Sequence, residues 1–234
     1  MALPKIEHPL FDLTIPSTKQ KIKFRPFLVK EEKILLLAQE SNNVKDMVSA
    51  CKQIVTNCVI DNINVDTLPS FDLEYLLVQI RCNSIGNSVN LRFTDPKTNN
   101  IIESEVMLDQ IQVEFNDNHK SIIDVGNNTK IEMKYPTYSD IVETQDPNKG
   151  ETENSYKLML QCVDKIYHGE NNVEEAKDYS EEELNEFIES LSPASLVKLQ
   201  SFFGTMPMLR HTIEYGKEKK KHTFVGMADF FSFA

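Results

Sequence analysis

Over residues 9–29 the apolar positions alternate loosely with polar ones, and then the period changes. In "PLFDLTIP" Leu10, Leu13 and Ile15 are spaced by polar partners, "STKQ" supplies turn formers, and "KIKFRPFLV" resumes the alternation, which predicts a hairpin. Pro16 and Pro26 cannot donate to a ladder and belong at its edges. From Val29 the spacing is helical: Glu31 and Glu32 occupy the favourable first turn, and Ile34, Leu35, Leu37 and Ala38 form an apolar face.

The next segment carries one clean stripe, Val44, Met47, Val48, Cys51, Ile54, Val55 and Cys58, opened by Asn42 or Asn43 as a cap. A third helix follows "LPS", with Ser70 as its expected cap and Leu73, Leu76, Leu77 and Ile80 facing inward. Between Asn87 and Tyr135 the period falls to two. "SVNLRF" and "IIESEVML" flank the turn formers "TDPKTNN", and "IQVEF", "KSIIDV" and "KIEMKYP" continue as an antiparallel meander.

Beyond the turn-rich "DPNKGETEN" at 146–154 the pattern is helical again. Tyr156, Met159, Leu160, Val163, Ile166 and Tyr167 predict one face, with Gly169 as its stop. "SEEELNEFIESL" carries a capping box, Ser180 with Glu183, and "SPASLVKLQSFFG" starts with Ser192 as cap and Pro193 at the first helical position. The chain ends on strands, "RHTIEY" and "HTFVGM", around "GKEKKK". The expected fold class is therefore α+β: an N-terminal hairpin with helices, a central antiparallel meander, C-terminal helices and a final hairpin. The expected organisation is one compact unit over 1–234, or two lobes, 1–145 and 155–234, joined by a linker at 146–154.

Composition adds limits. Of 234 residues, 40% are hydrophobic and 26% charged, an ordinary globular balance. A net charge of -11 opposes generic attraction to nucleic acid or anionic lipid, so neither is an expected partner. No apolar run reaches the length of a membrane span, and "MALPKIEHPL" has prolines and charges where a secretory signal would be apolar, which predicts a cytosolic protein. Asn127-Asn128-Thr129 matches a glycosylation acceptor that has no use without secretion.

Candidate chemistry is sparse. Cys51, Cys58, Cys82 and Cys162 include no C-x-x-C pair, which suits buried thiols better than a disulfide or zinc site. The five histidines are scattered; His211 and His222 are placed to face each other across the last hairpin, too few ligands for a firm metal site. Seven glycines leave no phosphate-cradling loop, no nucleophile motif is present, and the acidic "EEEL" is explained by a helix N-terminus. No catalytic, cofactor or metal residues are assigned. Two features remain. Lys217, Lys219, Lys220 and Lys221 crowd a hairpin tip, read first as a solvated turn and, as the alternative, as a contact surface for a partner. Phe230, Phe231 and Phe233 close the chain, either packed on the core or anchoring a partner.

Four stretches, "KIKFRPFLVKEEKILLLAQES", "LPSFDLEYLLVQIRCNSIGNSVNL", "IEMKYPTYSDI" and "LQSFFGTMPMLRHTIEY" with the closing "GMADFF", resemble the baseplate hub assembly proteins of T-even-type tailed phages. The resemblance spans nearly the whole chain. It implies a non-catalytic assembly factor or chaperone, made late in infection in the host bacterial cytoplasm, whose partners are other phage baseplate hub proteins. The alternative is a structural subunit retained in the virion baseplate; an enzyme acting on cell wall or nucleotide is the remaining class. Members of that family often carry paired cysteines at two hairpin tips, as in a zinc ribbon. This chain has "TDPKTNN" and "GKEKKKH" there, with no thiolate, so the resemblance implies no zinc.

Overall fold

A computed structural model describes residues 6–94, 101–216 and 219–226. In chain order the elements are β1 (Phe11–Thr14), β2 (Lys21–Phe24), α1 (Val29–Ser41), α2 (Val44–Cys58), α3 (Ser70–Cys82), β3 (Ser88–Thr94), β4 (Ile101–Met107) and β5 (Gln112–Glu114). There follow β6 (Ile122–Gly126), β7 (Thr129–Met133), α4 (Tyr138–Thr144), α5 (Glu151–Gln161), β8 (Val163–His168), β9 (Asn172–Glu175), α6 (Glu181–Glu189), α7 (Pro193–Thr205), β10 (Met208–Tyr215) and β11 (Lys220–Val225). Helices beside several antiparallel sheets make the chain α+β, as the hydrophobic pattern predicts. The chain divides into two compact units, 1–114 with 208–234, and 115–207.

In the first unit β1 pairs with β2, Phe11 opposite Phe24, and an isolated bridge ties Phe24 to Val59 just beyond α2. Helix α2 starts where its pattern places it: the Asn43 side chain accepts from the Lys45 amide, and Val48, Cys51, Ile54, Val55 and Cys58 are buried. Helix α3 buries Leu73, Leu76, Leu77 and Ile80 as expected, but Pro69 takes the cap position, and Ser70 lies buried inside the first turn. Helix α1 departs further. Ala38 is buried and Ile34 and Leu35 are half-buried, yet Leu36 and Leu37 are 51% and 56% exposed, so the helix is apolar on two sides.

The strand run beginning at Asn87 is shared among three sheets. β3 and β4 form their own hairpin, Leu91 opposite Ser104 and Val106 opposite Val89. β5 pairs instead with β10, Leu209 opposite Val113, giving the three-stranded order β11-β10-β5. Val78 of α3, Leu91, Val106, Leu108, Ile111, Leu209, Ile213 and Phe224 close one core under these strands.

The second unit holds the meander, β6-β7-β8-β9, which runs past residue 135 through β8. Its core gathers Ile131, Met133, Met159, Cys162, Ile166, Ile188, Leu199 and Phe202. The helical face expected over residues 156–167 is half right: α5 ends at Gln161 and residues 163–168 are a strand. A register shift explains the imitation. Met133 faces Val163 while Glu132 faces Lys165, so one extra residue in β8 puts Val163 and Ile166, three apart, on the same buried side. Gly169, expected to stop a helix, turns β8 into β9 at φ +64°. Residues 146–150 form a turn within this unit, and 151–154 are the first residues of α5.

Helices α6 and α7 begin as their caps predict: Ser180 accepts from the Glu183 amide, and Ser192 from that of Ser195. Short α4 has its own reciprocal box, in which Thr137 accepts from Asp140 and the Asp140 carboxylate accepts from the Thr137 amide.

Candidate interaction surface

The final hairpin grows from residues suited to a two-stranded ladder: Thr212 and Thr223 hydroxyls meet at 2.8 Å, and Glu214 lies 3.7 Å from the Lys221 ammonium. Gly216 turns the chain at φ +72° and Lys219 follows at +50°. Lys219 and Lys221 are exposed and Lys220 is half-buried. These three of the lysines expected at a contact surface therefore stand at the tip, while Lys217, Phe230, Phe231 and Phe233 lie outside the described residues.

Below the tip the β3–β4 and β10–β11 hairpins are joined by rings. Phe93 stacks on Tyr215 with centroids 4.1 Å apart, His222 tilts against Phe93 at 5.3 Å, and Phe224 meets the edge of His222 at 4.4 Å. Gly216 also sits close to this joint: a Cβ there would come within 3.2 Å of Ile102 Cδ1. Apolar and aromatic packing thus links the two hairpins whose tips lack thiolates. Sequence reading missed the joint, and its one signal was Phe93, Tyr215 and His222 all falling near strand ends.

His211 and His222 do not oppose each other as a metal pair would. His211 faces Phe224 and His222 faces Ile213, so they are diagonal neighbours, and burial lowers the His211 pKa. Among the described residues no cluster of three or more His, Cys, Asp or Glu is arranged to hold a metal ion.

Other reactive side chains are committed to structure. Burial pushes the Cys51 and Cys162 thiols up to about 12 and Cys58 to about 11, far from the thiolate a nucleophile or metal ligand needs. Burial likewise lowers His119, which is wedged against Phe202 and Tyr135 with Nδ1 3.0 Å from Thr205 Oγ1. Burial alone would raise Glu31, but hydrogen bonds from Arg25 and the Leu28 amide, with the Arg25 and Lys30 charges, hold it below its ordinary value. No helix among the described residues is long and apolar enough to cross a membrane.

Neither the comparison with curated proteins nor that with solved structures gives a match. The family described as T4 bacteriophage base plate protein matches residues 8–232. That span takes in both units, the aromatic joint and the lysine tip, in agreement with the resemblance carried by the four sequence stretches. The chain belongs to the T4-type phage base plate protein family.

Proposed function

We propose that this base plate protein is a hub assembly factor, which binds other baseplate hub proteins in the cytoplasm of the infected bacterium and catalyses no covalent reaction. The family match over residues 8–232 carries the reading. It is supported by thiols held protonated through burial, and by carboxylates such as Glu31 and Asp72 engaged in fold-holding hydrogen bonds. The acidic balance, -11 in all, disfavours nucleic acid as the partner.

The contact residues we propose are the lysine tip, Lys217, Lys219, Lys220 and Lys221, and the closing aromatics Phe230, Phe231 and Phe233. Truncation after Ala228 tests the aromatics. Loss of hub binding with unchanged thermal unfolding supports them as an anchor, and unchanged binding removes them from the interface.

A transient assembly factor and a retained hub subunit both need a stable interface, on the order of 1,000 Å² or more. Quantitative mass spectrometry of purified phage particles separates them. The assembly-factor reading predicts that the chain is missing or far below the stoichiometry of hub subunits; stoichiometric recovery makes it a structural subunit.

A further inference from the structure

Two open clefts of the second unit meet along one side of α5. The first, about 500 Å³, is walled opposite α5 by Gln200 and Phe203 of α7, and the second, about 480 Å³, by Ile141 of α4 and the turn that follows it. Glu151, Ser155 and Leu158 line both. Their spacing of four and three places them on one helix face, so the clefts form a continuous furrow across α5. Ile141, Tyr156, Leu158 and Phe203 are half-buried in its lining, whereas Glu151 and Ser155 are exposed. An apolar lining open to water suits a segment of chain better than a small molecule, which an enclosed pocket would surround.

The charge around the furrow selects the segment. Residues 115–207 contain 18 Asp and Glu against 8 Lys and no Arg, a formal -10 of the chain's -11. In the furrow itself Glu151 has no ion pair among the described residues, while Lys149, a cation of the lining, is taken by Glu153. Glu189 acts on the Tyr156 hydroxyl and Glu181 on Lys149, so further carboxylates stand close by. Anionic lipid, nucleic acid and a second copy of this acidic unit are all repelled by such a surface.

We infer that the furrow docks a basic amphipathic segment of a partner baseplate protein, with apolar side chains on Tyr156, Leu158 and Phe203 and a Lys or Arg against Glu151. The inference rests on the hub-assembly reading and deepens it by adding a site on the second unit and naming the chemistry of the partner segment. Apolar burial holds the segment, and the opposite charges set its register and speed its approach.

The test uses the full chain co-expressed with the hub proteins of the same phage, followed by affinity measurement on the purified complex. Ser155→Trp fills the furrow from an exposed position. It is expected to unfold at the wild-type temperature and to bind about tenfold or more weakly. Glu151→Gln is expected to bind about threefold more weakly, and Glu170→Gln, which loses the same charge in the exposed β8–β9 turn, to bind like wild type. Wild-type affinity should fall as salt rises from about 0.05 to about 0.5 M. If Ser155→Trp fails to fold, the comparison of Glu151→Gln with Glu170→Gln decides. A folded Ser155→Trp that keeps its affinity overturns the docking furrow while leaving the assembly reading intact. Equal effects of Glu151→Gln and Glu170→Gln, or an affinity indifferent to salt, overturn the basic segment. A wild-type dimer dissociated by Ser155→Trp assigns the furrow to a second copy instead. A wild-type chain that captures no hub protein overturns both readings.

Discussion

The Arg25 guanidinium lies 3.0 Å from the Glu31 carboxylate, with Glu31 wholly buried and Arg25 14% exposed. Arg25 follows β2 and also donates to the Pro26 and Asn57 carbonyls, both at 2.9 Å, while Glu31 accepts from the Leu28 amide at the same distance. One pair therefore fastens the end of the first hairpin to the start of α1 and the last turn of α2. The Asn57 contact also places a cation at a helix C-terminus, where it is favoured.

Removing one partner leaves the other charge buried alone. Glu31→Leu alone and Arg25→Met alone are each expected to destabilise the chain by about 3–5 kcal/mol, and the two together by clearly less than the sum. Urea denaturation of the two singles and the double checks this. Additive losses would show that the pair is not a unit.

Two buried carboxylates of the first unit are expected to respond to pH with opposite signs. The folded pKa of Glu31 is lowered, so its contribution is present above the unfolded value, about 4.3, and is lost as pH falls through the folded one. Asp72 is the reverse. Burial raises its pKa against the bonds that the Ser17 hydroxyl and amide donate, so its contribution is complete below the unfolded value, about 3.9, and lost as pH rises through the folded one. Relative to wild type, Glu31→Gln should therefore cost most at neutral pH, and Asp72→Asn should be most favourable there. Unfolding free energies at pH 7 and at about pH 3.5 decide it; parallel pH dependence of the two variants would contradict the assignment.

Most elements were legible because caps and periods agreed. Ser180 with Glu183, Ser192 with Pro193, and Asn43 all open helices where their patterns place them. The failures have physical causes. Asp164 is the extra residue that lets β8 imitate a helix, and α4 is one short helix announced only by Thr137 and Asp140. Which strand β5 would choose was hidden, because its partner β10 lies some ninety residues away and pairing leaves no local mark. The lysine tip could be placed from "GKEKKK", whereas the stacking of Phe93 on Tyr215 could not, since a contact between two hairpins is a property of three-dimensional surroundings.

The ring joint between the two hairpins is expected to contribute beyond the area it buries. In a double-mutant cycle, Phe93→Ala and Tyr215→Ala should couple by about 0.5–1.5 kcal/mol, measured by thermal or urea unfolding. Zero coupling would mean that the stacked pair at 4.1 Å adds nothing to the hairpins' attachment.

Ser192 does more than cap α7. Its hydroxyl lies 2.9 Å from that of Ser195, which donates to the Val125 carbonyl of β6 at 2.8 Å, so the cap is linked to the sheet. Ser192→Ala should cost about 1 kcal/mol, as should Ser180→Ala, whose cap is exposed. Ser195→Ala should cost about 1–3 kcal/mol because it leaves a buried carbonyl unpaired. Equal effects at all three positions in urea denaturation would deny the link to β6.

The assembly reading is tested most directly by co-expressing this chain with the hub proteins of the same phage, followed by affinity capture and size-exclusion chromatography. The account predicts a stable complex with a hub protein that elutes ahead of either component. A well-folded chain that elutes alone, in the presence of every hub protein, would contradict it.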